Sequence, residues 1–284
     1  MYTTLIDCES LLAHLGRRDW LVIDCRFDLA RPHWGGAAYW QGHIPGALYA
    51  HLDRDLSAPV TPTSGRHPLP APQLLARRFG AWGIGRRTQV VAYDQGNGMV
   101  AARLWWLLRW LGHSAVAVLD GGFEAWRAEA GAILSRDVVP VVDAEFLPDL
   151  QPDWVVTTAM LEREVAEGLP PGRLFDARAP DRFAGRNETI DPVAGHVPGA
   201  VNAPFTENLA ADGRWLDRAT LRERWLERLQ GRAPGATIMM CGSGVSACHN
   251  LLALEHAALG GARLYAGSWS EWIRDPKRPI LRTP

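Results

Sequence analysis

Ala236-Thr237-Ile238-Met239-Met240-Cys241-Gly242-Ser243-Gly244-Val245-Ser246 decides the reading of this chain. Its first five residues form a short apolar run, the pattern of a buried strand. Ala247 to Leu259 then reads as a helix. A cysteine at a strand end, on a small loop that opens a helix, sits among backbone N–H groups and the positive end of the helix dipole. That setting favours thiolate over thiol and cradles anions. Val90-Val91-Ala92-Tyr93-Asp94 is a matching strand in the first half, with Asp94 in the place of Cys241.

Working outward, three more blocks recur in the same order at nearly the same spacing. Asp24-Cys25-Arg26 answers to Asp176-Ala177-Arg178, and Gly42-His43-Ile44-Pro45-Gly46-Ala47 to Gly195-His196-Val197-Pro198-Gly199-Ala200. Gly121 with Trp126 answers to Gly267 with Trp272. Such order and spacing mean two copies of one domain.

The repeat separates scaffold from chemistry. A feature present in both halves is what the fold needs, and a feature of one half is a candidate for function. His43 and His196 each lie in a Gly-His-hydrophobic-Pro-Gly-Ala turn, yet one copy alone has a cysteine to serve. Both histidines are therefore read as structural, with the glycines and proline setting the turn. Asp24, Asp176, Trp126 and Trp272 take the same reading.

Composition agrees with two ordinary domains. The chain has 284 residues, 47% hydrophobic and 21% charged. Two domains of about 140 residues can each bury a core. A formal net charge of −1 gives no bulk electrostatic reason to expect nucleic acid or an anionic membrane. No apolar run approaches the ~18 residues of a membrane span. The start, Met1-Tyr2-Thr3-Thr4-Leu5, lacks the pattern of a secretory signal, so a cytoplasmic location is expected.

Cys8, Cys25, Cys241 and Cys248 form no C-x-x-C and no zinc spacing, and no metal or organic cofactor is expected. Cys25 reads as a small core residue. Cys248-His249 is no metal pair, because adjacent residues on a helix point in different directions.

Strand and helix alternate, which argues for an α/β fold with mostly parallel sheets covered on both faces. Strands are expected near 20–25, 46–51, 89–93 and 115–119, then near 173–177, 200–205, 236–240 and 262–265. Helices are expected near 99–111 and 123–130. The tryptophans of Leu104-Trp105-Trp106-Leu107-Leu108-Arg109-Trp110 read as core packing. Domains are placed at 1–138 and 155–284, joined by a linker at 139–154 that contains Pro140, Pro148 and Pro152.

These residues carry a family resemblance. Two copies with paired Gly-His-hydrophobic-Pro-Gly-Ala turns and one C-terminal cysteine loop resemble the tandem rhodanese-type sulfurtransferases, across essentially the whole chain. Within them, Cys-Gly-Ser-Gly-Val followed by Ser or Thr resembles the 3-mercaptopyruvate sulfurtransferases. Thiosulfate enzymes typically carry charged residues after the cysteine. The resemblance implies two rhodanese-like domains, an inactive first copy, an active site between the domains and a persulfide on Cys241.

Several site residues follow. Cys241 is the nucleophile, and sulfur leaves it in a second half-reaction. Gly242, Gly244, Val245 and Ser246 shape the anion-holding loop. Ser243 is placed to hydrogen-bond the donor or relay a proton. By resemblance Asp53 completes a Cys-Ser-Asp constellation, although Asp55 is equally eligible on the residues alone. His67, in Gly65-Arg66-His67-Pro68, is expected to line the donor side. Arg182 matches the family's first carboxylate-binding arginine, a planar and permanently charged fork. The second is missing: Asn187-Glu188-Thr189-Ile190-Asp191-Pro192 holds no arginine, so Arg186 either substitutes or sits in a solvated loop. With neutral Gly242 and Ser243 beside the cysteine, a less charged donor than thiosulfate is expected. Thiol acceptors such as thioredoxin, or cyanide, would take the sulfur.

Two other classes compete. A cysteine phosphatase of related fold needs Cys-x5-Arg, and here that position is Ala247. A non-catalytic sulfur carrier would accept sulfur once and never turn over, a reading the intact Cys241 loop opposes.

Overall fold

The structure, a computed structural model, describes residues 1–130, 134–137 and 142–283. Pro140 of the expected linker lies outside the described residues. The chain forms two compact units. The first comprises Met1–Ala58, Leu69–Gln151 and Ala211–Trp215; the second comprises Pro59–Pro68, Pro152–Ala210 and Leu216–Pro284. Each unit thus takes in a short strap from the other repeat.

In the first unit, β1 (Leu5–Ile6), β2 (Trp20–Asp24), β3 (Leu48–Tyr49), β4 (Gln89–Tyr93) and β5 (Val116–Leu119) form one sheet in the order β1-β5-β4-β2-β3. All its pairings are parallel. Its helices are α1 (Cys8–Leu12), α2 (Trp34–Gln41), α3 (Leu52–Asp55), α4 (Pro72–Ala81), α5 (Met99–Trp110) and α6 (Gly122–Glu129). Every residue of β4 is buried, as a central parallel strand covered on both faces requires. Trp105, Trp106 and Trp110 of α5 are buried core residues.

The second unit repeats the plan. β6 (Val155–Val156), β7 (Leu174–Asp176), β8 (Ala200–Asn202), β9 (Ile238–Met240) and β10 (Arg263–Tyr265) lie in the order β6-β10-β9-β7-β8, again parallel throughout. Its helices are α7 (Thr158–Ala166), α8 (Pro180–Ala184), α9 (Arg218–Leu229), α10 (Ser246–His256) and α11 (Ser268–Trp272).

The scaffold motifs do the same work twice. Asp24 is fully buried, takes Arg26 in an ion pair at 2.6 Å and accepts from the Tyr93 hydroxyl at 2.7 Å. Arg26 also donates to the Gly42 carbonyl, which pins the Gly-His turn. Asp176, Arg178 and the Gly195 carbonyl repeat the arrangement. His43 stacks on Tyr39 and bonds its carbonyl; His196 does the same with Phe183. Trp126 and Trp272 are fully buried in their respective cores. All of these residues hold the fold.

The expected strand at 46–51 shrinks to Leu48–Tyr49. As an edge strand after the Pro45-Gly46 turn it pairs on one side alone, Ile23 with Leu48 and Asp24 with Tyr49. β1 and β6, two residues each, gave no periodicity to read.

Candidate active site

Cys241 follows β9 directly and is 2% exposed. Its Sγ accepts the Gly244 N–H at 3.1 Å. Gly244 has φ +76, and a Cβ there would fall 2.5 Å from the Ala266 carbonyl, so glycine is required on both counts. Val245, the N-cap of α10, offers no side-chain acceptor, and the helix begins at Ser246. The positive end of α10 therefore opens onto the cysteine loop.

The turn between β10 and α11 holds this loop in place. Ser268 Oγ accepts the Cys241 N–H at 3.0 Å and donates to the Tyr265 carbonyl at 2.9 Å. The Trp269 N–H donates to the Cys241 carbonyl and the Ser270 N–H to that of Gly242. Ser268 has φ +54, a left-handed conformation that a non-glycine residue adopts at a cost of about 1–3 kcal/mol. Its two hydroxyl bonds offset that strain.

The strap at 59–68 brings in further groups. The Gly65 N–H donates to Glu271 at 3.2 Å, and the Arg66 N–H donates to Ser270 Oγ at 3.0 Å. These anchors place His67, 3% exposed, with Nδ1 at 2.7 Å from Ser243 Oγ. Ser243 is 6% exposed, so the pair is screened from bulk water. His67, read from sequence as a lining residue, is the partner of the loop serine.

Arg66 is the residue that sequence reasoning missed. Its Nη1 lies 2.6 Å from Asp191 Oδ1, and Arg182 Nη2 lies 3.1 Å from Asp191 Oδ2. Arg182 also grips Glu188 through Nε and Nη2. A Cβ on Gly242 would stand 3.2 Å from Arg66 Nη2 and 3.7 Å from Arg182 Nη2. Two guanidinium groups thus flank the residue after the nucleophile, although Gly242 and Ser243 are themselves neutral. Their charge is balanced by Asp191 and Glu188, whose side chains are 3% and 2% exposed. Burial alone would push the Glu188 carboxyl up, but hydrogen bonds from Arg182 and from the Asp191 and Ile190 N–H groups outweigh it and hold it below the usual range.

Arg186 is exposed, with its N–H on the Asp181 carbonyl. The second guanidinium at Gly242 belongs to Arg66. The signal was faint: a basic residue between Gly65 and His67, far along the chain from Cys241. Asp53 lies in the first unit, exposed on α3, with its N–H donating to His51 Nδ1.

The equivalent loop of the first unit is filled from within. The Asp94 carboxylate accepts N–H groups from Gly96, Gly98, Val100 and Ala101, caps α5 and is 4% exposed. Phe123 and Glu124 N–H groups bond the Asp94 and Gln95 carbonyls, as Trp269 and Ser270 do for Cys241 and Gly242. Trp215 of the other strap would touch a Cβ on Gly98 at 3.3 Å. This copy presents no thiol in its loop.

Cys8, Cys25, Cys241 and Cys248 are all buried, and none is in a disulfide. Cys248 Sγ lies 3.3 Å from the Gly244 carbonyl, a packing role. Among the described residues no cluster of His, Cys, Asp and Glu could hold a metal ion, and no helix is long and apolar enough to cross a membrane.

Both repeats match the model of the rhodanese-like domain, at residues 7–129 and 157–275. A Pseudomonas aeruginosa protein named "Probable 3-mercaptopyruvate sulfurtransferase" is 49% identical over 97% of each chain. A Mycobacterium tuberculosis protein named "Putative thiosulfate sulfurtransferase SseB" is 39% identical over 92% of this chain and 90% of that one. The crystal structure of Escherichia coli SseA, a 3-mercaptopyruvate sulfotransferase, superposes with a TM-score of 0.78 at 29% identity, covering 95% of this chain and 100% of that one.

Proposed function

This chain belongs to the rhodanese family, and from that premise we propose that it is a sulfurtransferase that moves sulfur from 3-mercaptopyruvate through Cys241 to a thiol. The observation that carries the reading is the grouping at one loop: Cys241 under the Gly244 N–H, the His67–Ser243 pair, and two guanidiniums at Gly242.

The Cys241 thiolate attacks the donor's sulfur and forms an S–S bond as the donor's C–S bond breaks. The electron pair of that bond leaves on the donor as the enolate of pyruvate. The proton of the donor thiol ends on that carbon, giving pyruvate and a Cys241 persulfide anion. An acceptor thiolate then attacks the outer sulfur, takes it as its own persulfide and releases the Cys241 thiolate. Ser243, hydrogen-bonded to His67, is the group suited to carry the proton. The guanidiniums suit the donor's carboxylate, and converging N–H groups suit the persulfide anion. Thioredoxin-like dithiols and cyanide are the proposed acceptors.

Thiosulfate is the second reading, favoured by the guanidinium pair and by the name of the Mycobacterium tuberculosis relative. Against it, Asp191 and Glu188 already balance that charge, which disfavours a dianion. Donor treatment should add one sulfur atom to the Cys241 peptide by mass spectrometry, and Cys241→Ser should abolish turnover. Comparing kcat/KM for the two donors decides between them. Full activity in the serine variant would overturn both.

A further inference from the structure

We propose that Glu271 is a positioning residue for sulfur transfer: its carboxylate fastens the strap Pro59–Pro68 to α11 and so sets His67 against Ser243. The assignment rests on the reading of Ser243 and His67 as the proton-handling pair, and it names the group that keeps them in register.

Three observations carry it. First, α11 grips both partners at once. Its Trp269 and Ser270 N–H groups hold the Cys241 and Gly242 carbonyls, while Ser270 Oγ and Glu271 Oε2 accept the Arg66 and Gly65 N–H groups. Cysteine loop and strap are therefore registered on one five-residue helix. Second, the Glu271 carboxylate is itself held. Its Oε1 accepts the Thr158 hydroxyl at the start of α7, and that hydroxyl lies 2.9 Å from the Tyr265 hydroxyl at the end of β10. An acceptor fixed in such a network gives the strap a rigid anchor. Third, the contact is close. A Cβ on Gly65 would fall 2.6 Å from the Gly267 carbonyl and 2.9 Å from Ser270 Oγ, so the strap lies flat on the turn before α11. His67 follows on the same strap, with Nδ1 2.7 Å from Ser243 Oγ.

Comparison of the two copies shows that the fold does not need this carboxylate. Gly121 answers to Gly267, so Ala125 stands where Glu271 is, buried in the first core. That copy holds its own strap differently, through the Trp215 N–H on Asp120 Oδ1 at 2.9 Å. A carboxylate present beside the cysteine loop and absent from the silent copy follows the chemistry and not the scaffold.

The test uses the intact protein and three readouts. Amide hydrogen exchange of the strap reports the anchor, and iodoacetamide alkylation of Cys241 reports an intact loop. Single-turnover release of pyruvate from mercaptopyruvate reports sulfur loading. Glu271→Ala removes a hydrogen bond to a charged group, so exchange at Gly65 and Arg66 should speed up and loading slow down, each about tenfold. Alkylation should hold. Glu271→Gln, whose amide oxygen still accepts, should recover most of both. Gly65→Ala, which lifts the strap and leaves the carboxylate in place, should reproduce the loss. In a Ser243→Ala background Glu271→Ala should add little, because its effect passes through that hydroxyl. Unchanged exchange in Glu271→Ala would overturn the anchor. Faster exchange with unchanged loading, or an equal loss in the Ser243→Ala background, would overturn the positioning role. So would alkylation that falls in step with loading. A wild type that loads Cys241 from thiosulfate but not from mercaptopyruvate would reject mercaptopyruvate alone, and the same comparison read with thiosulfate then decides on Glu271.

Discussion

His67 Nδ1 lies 2.7 Å from Ser243 Oγ, a contact between residues of different repeats that are packed into one unit. It makes the hydroxyl of a glycine-rich loop half of a buried hydrogen-bonded pair. If that pair moves the proton, Ser243→Ala and His67→Ala should each lower kcat with mercaptopyruvate by about 10²-fold. The double variant should be little worse than either single one, because the residues act as a unit. Stopped-flow or steady-state kinetics on the three proteins checks this, with iodoacetamide labelling of Cys241 as the control for an intact loop.

Asp53 is tested by kinetics. Should it take part in the proton path, Asp53→Ala loses activity while Tm stays within a degree or two of wild type. Equal kcat and KM would leave it a carboxylate of the exposed α3 surface.

Glu188 predicts a direction of pH dependence. Its folded pKa is depressed, so the native state binds this proton more weakly than the unfolded chain. The stability it contributes is present above the unfolded glutamate value, near 4.3, and is lost as pH falls through the lower folded value. Glu188→Gln should cost about 2 kcal/mol at neutral pH. Its denaturation midpoint should fall less steeply in acid than that of the wild type. Parallel curves would mean that Arg182 is balanced without it.

Asp94 predicts a separation of stability from chemistry. Removing a carboxylate that satisfies four N–H groups at the start of α5 should destabilise Asp94→Ala by about 2 kcal/mol. Sulfur loading of Cys241 should be unaffected at temperatures where the variant is folded. A loss of loading would give the first repeat a part in the reaction.

The fold was legible because its signals are local or repeated. Apolar runs such as Val90–Tyr93 and Ile238–Met240 mark central strands, and duplication tells that His43 and His196 serve turns. Two-residue edge strands carry too few side chains for any periodicity. At the site, Cys241, Gly244 and Ser243 could be read because strand, loop and helix are contiguous. Arg66 could not, since its importance comes from a chain segment that packs with the other repeat. The residues after Cys241 are neutral, yet the charge beside them arrives from Arg66 and Arg182, which sequence order does not bring near. Spacing along the chain holds no information on such an exchange of straps.

A duplicated domain begins as a spare part, and either copy can be discarded at no loss. Here the copy that kept the cysteine draws its histidine and one arginine from Pro59–Pro68, while the copy without one has absorbed Ala211–Trp215. A gene truncated to the second half would still encode Cys241 but neither Arg66 nor His67. Cutting the chain between the repeats would part the cysteine loop from the strap that packs with it.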